Sequence, residues 1–287
     1  MPTNKQRRVA AQRRLQRQLE RRAELARKRR RDLLVVVTVL AVVLVGGAVS
    51  LAAGFCGSDD PDTPEAAASS SAAPTGDDAG ATAAPAVTNA DGTVTCTYAP
   101  DASGNPNLTD AGTPPDPAST PASGTVQLLM STDQGDIPLT LDRAQAPCAA
   151  ASFVHLAQQQ FFDGSPCHRE VNQPEFGVLQ CGDPTGTGSG GPTYTFAEEV
   201  TPETTYPRGT IAMANSGTPG STGSQFFLCF VDTQLPPDYT AVGTVDEAGL
   251  AVLDTIAAAG NDGSFEPSPG GGAPKVPVTI TTMTVVA

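Results

Sequence analysis

Beyond residue 124 the chain alternates apolar and polar positions in short runs separated by Gly, Pro and Asp, the period-2 signature of half-buried strands. Residues 126–131 and 137–141 flank Asp133-Gln134-Gly135, which predicts a hairpin turning at the glycine. Further strands are predicted over 166–171, 176–182, 209–213, 225–231, 239–245 and 276–285. Two segments keep helical spacing instead. Residues 144–160 place Phe153, Leu156 and Ala157 on one face, with Pro147 in the first turn, where a missing N–H costs little. Residues 247–259 align Leu250, Leu253 and Ile256 and stop at Gly260. Many short strands with two helices in these places predict a mainly β domain over 125–287, a single barrel whose open ends the helices cover.

The earlier residues read differently. Residues 33–55 form a run of 23 without a charge, rich in Val, Leu and Ala. As a helix this run is roughly 35 Å long, enough to cross a hydrocarbon core of about 30 Å with some tilt. Residues 1–32 carry 13 Lys+Arg against 3 Asp+Glu, a basic cytoplasmic head that predicts a single-pass signal anchor in the cell membrane with the C-terminal part outside. A cleaved signal peptide competes, but its charged head is shorter and its apolar run is usually about 7–15 residues. Cys56 invites a lipoprotein reading, against which Phe55 is a poor preceding residue. The head reads as a helix serving as a topology signal or touching anionic lipid head groups. Residues 56–124 are Ala, Ser, Thr, Pro, Gly and Asp with almost no large apolar side chains, and are expected to be a disordered linker. One interruption, 93–98, alternates like a short strand, and its Cys96 is a candidate clip onto the domain.

Charge narrows the chemistry. Outside the head there are only four basic residues, Arg143, Arg169, Arg208 and Lys275, against 27 acidic ones. Such a domain does not suit nucleic acid, and the basic head lacks the interleaved aromatics that nucleic-acid binding uses. A single Arg beside an apolar, Gln-bearing run suits a neutral, carbonyl-bearing ligand such as a peptide. The six cysteines lie at or beyond the outer membrane edge on this topology, where disulfides are stable, and their pairing stays open. No pair is spaced like a zinc site, so neither metal nor cofactor is expected. His168 is expected to be buried and hydrogen-bonded, Phe226 to be core, and Cys229 to be packing.

Three motifs in order carry a family likeness: His168-Arg169 followed by Leu179-Gln180-Cys181-Gly182-Asp183, then Met213-Ala214-Asn215-Ser216, then Gly223-Ser224-Gln225-Phe226-Phe227. Together they resemble the cyclophilin-type peptidyl-prolyl cis–trans isomerases across residues 125–287. The basic head, apolar run and Pro/Ala-rich stretch look like membrane-anchored actinobacterial forms. The resemblance implies a closed eight-stranded antiparallel barrel capped by two helices, with a proline pocket on its outer face. It implies Arg169 as the catalytic residue and Gln180 as its substrate-orienting partner. Gln225 and Phe227 stand at the pocket wall and floor, and Asn215, between Ala214 and Ser216, at the position whose backbone pairs with a bound peptide. Val178 takes the place of a Met, Leu235 matches a pocket Leu, Tyr239 stands where many members have His, and Gly186-Thr187-Gly188 falls beside a second, shallower pocket. The implied partners are proline-containing peptides and unfolded or secreted proteins. A cyclosporin-type ligand is expected to bind only weakly, because Gln234 replaces a Trp.

Besides those replacements, the likeness departs between Arg169 and Gln180. Arg169 and Gln180 are separated by a modified loop, and Gly177 stands at the strict register of the pocket Phe, with Phe176 one residue earlier. The expected activity is isomerisation of X–Pro bonds in extracytoplasmic proteins. The alternative is a tethered proline-peptide binding module with little turnover. An isolated Arg in an acidic domain also has a plain reading, pairing with Glu170, Glu175, Glu198 or Glu199.

Overall fold

The computed structural model describes residues 85–286. The expected head, the apolar run at 33–55 and the first part of the linker lie outside the described residues. No helix among the described residues is long and apolar enough to cross a membrane.

Eight strands form one sheet: β1 Thr125–Thr132, β2 Gly135–Asp142, β3 Arg169–Gln173, β4 Phe176–Cys181, β5 Thr210–Met213, β6 Phe226–Cys229, β7 Ala241–Val245 and β8 Ile280–Val286. Their order is β8-β1-β2-β7-β5-β6-β4-β3, and every neighbouring pair is antiparallel. Helix α1 (Pro147–Gln158) follows β2, and α2 (Glu247–Ala259) follows β7. Pro147 opens α1. The carboxylate of Glu199 accepts from the N–H groups of Cys148 and Ala149 at 3.0 and 2.8 Å, satisfying donors that a helix start leaves free. Asp246 caps α2 by accepting from the N–H of Gly249 at 2.8 Å.

Alternation sorts the side chains onto two faces. Leu179, Cys181, Ile211, Met213, Phe226 and Leu228 point into the main core, together with Phe153 and Leu156 of α1 and Leu253 of α2. Val171, Val178, Ala212, Phe227 and Cys229 form a smaller cluster on the other face with Tyr206. Phe226 is fully buried, its ring 4.9 Å from that of Phe153. Phe227 faces the opposite way.

Two expectations are corrected. The sheet is not a closed barrel: β3 and β8 share no ladder. The chain before each of them makes an isolated bridge, Pro166 with Thr279, while the outer edge of β3 is taken by a loop. There the N–H of Glu170 donates to the Gly272 carbonyl at 2.8 Å and the N–H of Gly272 donates back at 3.0 Å. Gly271 alone suits this approach, since it has φ +74° and a Cβ there would collide with the Glu170 carbonyl. Residues 85–124 are likewise not a disordered linker. They carry short strands, and Cys96 is disulfide-bonded to Cys148 on α1. Ala99–Pro100 pairs with Tyr194–Thr195, and Leu108–Thr109 with Gly191–Pro192. Tyr98 packs edge-on against the rings of Tyr194 and Phe196 at 5.3 and 5.7 Å. These contacts replace the local apolar periodicity the segment lacks.

Candidate active site

The second face of the β5-β6-β4-β3 end carries a cavity of about 630 Å³. Strand β4 contributes Phe176, Val178 and Gln180, which share one face because they alternate. Phe227 of β6 lies across from Gln180 in the ladder, and Arg169 of β3 lies across from it on the other side. Ala214 and Asn215 follow β5, and Leu235 and Tyr239 come from the connection before β7. Tyr239 stands edge-on to Phe227 at 5.5 Å. Its backbone is fixed by Tyr206, whose hydroxyl donates to the Tyr239 carbonyl and accepts from its N–H, both at 2.9 Å.

Among the described residues, Arg169 is the only permanently charged group in the lining. Its Nη1 donates to Gln180 Oε1 at 3.0 Å, its Nε to the Gly270 carbonyl at 3.0 Å, and its Nη2 to the Pro269 carbonyl at 2.9 Å. The guanidinium lies 5.9 Å from the centre of the Phe176 ring, within cation–π range. All three acceptors are neutral. Among the described residues the recorded ion pair is Arg208 with Asp254, so pairing of Arg169 with a glutamate does not occur. Glu198 and Glu199 are occupied by Gly220, Thr222, Cys148 and Ala149. Burial lowers the Arg169 pKa, with Tyr239 and Glu266 opposing, and the group stays cationic at neutral pH.

A hydrogen-bond relay fixes the partner amides. Gln225 Nε2 donates to the carbonyls of Gly188 and Gly190, each at 3.0 Å, which leaves its Oε1 to accept from Gln180 Nε2 at 2.9 Å. The Gln180 oxygen is thereby turned toward Arg169. The loop supplying those carbonyls is organised by Asp183, which is fully buried. Burial pushes its carboxyl up, but donors at Gly190, Thr185 and Gly188 outweigh that and hold it below the ordinary value. Beneath the cavity Cys229 is a buried free thiol whose pKa burial pushes up to about 12, consistent with a packing role.

A family model described as cyclophilin type peptidyl-prolyl cis-trans isomerase/CLD matches residues 127–285. This chain belongs to the cyclophilin-type peptidyl-prolyl cis–trans isomerase family. It is 46% identical over 160 residues to the probable peptidyl-prolyl cis-trans isomerase B of Mycobacterium tuberculosis, covering 52% of this chain and 50% of that protein. The chain thus spans about half the length of that relative. It is 36% identical over 168 residues to peptidyl-prolyl cis-trans isomerase A of the same organism, covering 52% of this chain and 86% of that protein. Among solved structures, a cyclophilin type peptidyl-prolyl cis-trans isomerase of Cryptosporidium parvum has a TM-score of 0.50 at 27% identity, covering 57% of this chain and 99% of that one.

Within this cyclophilin domain most of the residues singled out by sequence share one cavity. Arg169, Gln180, Phe176, Val178, Ala214, Asn215, Phe227, Leu235 and Tyr239 all line it. Phe176 reaches it because Gly177 turns inward, where no side chain fits. Ser216 and Gln225 instead line a neighbouring cavity of about 710 Å³, which shares Gln180, Gly188, Ala214 and Asn215 with the first. His168 departs from expectation. It lines the first cavity, and its Nδ1 is buried without a hydrogen-bond partner. Sequence reasoning missed Phe265 and Pro269, which close one side of the cavity from the loop after α2. No local signal marks them: the Pro269 carbonyl meets Arg169 of β3 from 100 positions away in sequence.

Proposed function

We propose that the chain is a peptidyl-prolyl cis–trans isomerase that lowers the X–Pro barrier with Arg169 and no cofactor. One observation carries the reading: a cation held only by neutral acceptors stands at the rim of an apolar cup. The X–Pro bond resists rotation by about 18–20 kcal/mol because nitrogen and carbonyl share electrons. Halfway round, the nitrogen turns pyramidal and regains its lone pair. Arg169 keeps one unused N–H on each terminal nitrogen, and these address the proline nitrogen and the proline carbonyl. Both interactions strengthen in the twisted form, which is the differential that speeds the reaction. Val178, Phe176, Phe227 and Leu235 seat the ring while the preceding acyl group swings, Gln180 holds the guanidinium, and the Asn215 backbone pairs with the peptide.

The peptidyl-prolyl cis-trans isomerase names of the Mycobacterium relatives support the activity. The test is a proline-peptide isomerisation assay on the full chain and its Arg169→Ala variant. Acceleration by the first and a loss of about 3–4 kcal/mol of barrier lowering in the second support the reading. Background rate from the unmodified chain overturns it. That outcome with retained peptide binding points to the second reading, a tethered binding module. The engagement of Arg169 by the Pro269 and Gly270 carbonyls favours it.

The proposed setting is extracytoplasmic, with 33–55 as a single-pass anchor, the basic head inside, and emerging proteins with slow prolyl steps as substrates. Two disulfides, Cys96–Cys148 and Cys167–Cys181, suit an oxidising compartment. A cyclosporin-type ligand is expected to bind weakly, and a nanomolar Kd would contradict that expectation.

A further inference from the structure

The second cavity has a wall that the family match does not include. Residues 100–108 lie before position 127, yet Pro100, Asp101, Ser103, Asn105 and Leu108 line this cavity together with residues from 214–225. The wall is fixed to the rim. The N–H of Asp101 donates to the Thr193 carbonyl at 2.9 Å, Asn105 Nδ2 to the Ser189 carbonyl at 2.6 Å, and Asn107 Nδ2 to Ser189 Oγ at 2.8 Å. The strand pairs at 99–100 and 108–109 hold both of its ends, and the Cys96–Cys148 disulfide ties the segment to α1.

Among the described residues, Asp101 is the only side chain lining this cavity that is charged at neutral pH. It is half-buried, accepts only from the N–H of Ser103 at 2.7 Å, and takes part in no ion pair among the described residues. We infer that the segment 99–109 is part of the substrate groove, and that Asp101 makes the groove prefer peptides with a Lys or Arg two or three residues before the proline. The direction rests on the proposed isomerase chemistry. Arg169 lines the first cavity and not the second, so a proline whose carbonyl faces Arg169 sends its preceding residues past Gln180 and Asn215 into the second cavity. An uncompensated carboxylate there attracts a cationic side chain and repels Glu or Asp.

The test uses the full chain with capped peptides that differ only in Lys, Gln or Glu at the second or third residue before proline. Both kcat/KM and Kd are measured. At one of the two positions the Lys peptide is expected to exceed the Glu peptide by roughly three- to fivefold, the range of a partly exposed charge pair. Asp101→Asn keeps the acceptor for Ser103 and is expected to bring that ratio close to one, the Lys peptide losing and the Glu peptide gaining. Should this variant fold poorly, salt decides on the unmodified chain: the ratio shrinks toward one as screening rises. A ratio near one at both positions, or one unaffected by Asp101→Asn or by salt, overturns the inference. A Lys preference in Kd without turnover on any peptide would sink the isomerase reading and leave this one standing.

Discussion

Gln180 sits directly across the β3–β4 ladder from Arg169 and accepts its Nη1 hydrogen at 3.0 Å. The acceptor is an amide oxygen, so it orients the cation without neutralising it. Gln180→Glu replaces that neutral acceptor with a charged one. The carboxylate would pair with Arg169 and also lose the donor that reaches Gln225. We expect kcat/KM to fall at least tenfold with thermal stability little changed, and a variant at full activity would show that an unneutralised guanidinium is not required.

His168 gives a pH dependence. Burial lowers its pKa, Asp183 opposes that and Arg169 adds to it. The unfolded chain therefore binds the proton more tightly, and the stability this group contributes is fully present above the unfolded value, about 6.5. It is lost as pH falls from there through the folded value. Denaturant unfolding of wild type and His168→Gln across this range should show wild type losing stability relative to the variant toward acid. Parallel profiles would contradict the assignment. Glu170 is buried, one of its oxygens has no partner, and burial raises its pKa. It contributes in the opposite sense in both proteins and cancels in the difference.

Gly177 lets Phe176 enter the cavity. A Cβ at this position would lie 2.6 Å from both Phe230 and Val231 side chains. Gly177→Ala should overpack the strand by about 1–3 kcal/mol, which lowers Tm by roughly 3–10 °C for a domain of this size. Activity should fall too, because the same strand carries Val178 and Gln180. A variant as stable as wild type would show that β4 shifts freely.

The Cys96–Cys148 disulfide spans 52 residues. Replacing both cysteines by Ser should cost about 2–4 kcal/mol. Limited proteolysis should then cleave within 85–124 first, while the 125–286 sheet keeps its protection. Equal resistance of the segment with and without the bond would mean the short strand pairs alone hold it.

The elements legible from sequence are those whose burial is periodic and local. Helix 247–259 is legible because a clear apolar face of Leu250, Leu253 and Ile256 stops at Gly260, and β1 and β2 because one face of each is core. The contiguous motifs brought most of the cavity together for the same reason: alternation on β4 and β6 decides which side chains share a face. What escaped is non-local. The strands at 99–100 and 108–109 are two residues long and exist through partners 83 to 96 positions away. The loop that supplies Pro269 and Gly270 has no apolar period, yet it covers the edge of β3 and thereby keeps the sheet from closing. Gln225 was read as pocket wall, whereas its amide is spent on the relay to Gly188 and Gly190.

The most direct measurement compares turnover and affinity for one proline peptide in wild type and Arg169→Ala, by exchange spectroscopy at saturating peptide. If the guanidinium acts on the twisted amide, the exchange rate in the complex falls by roughly 10²–10³ while Kd changes by only a few-fold. An unchanged exchange rate, or a rate that falls only in step with lost binding, would contradict the account.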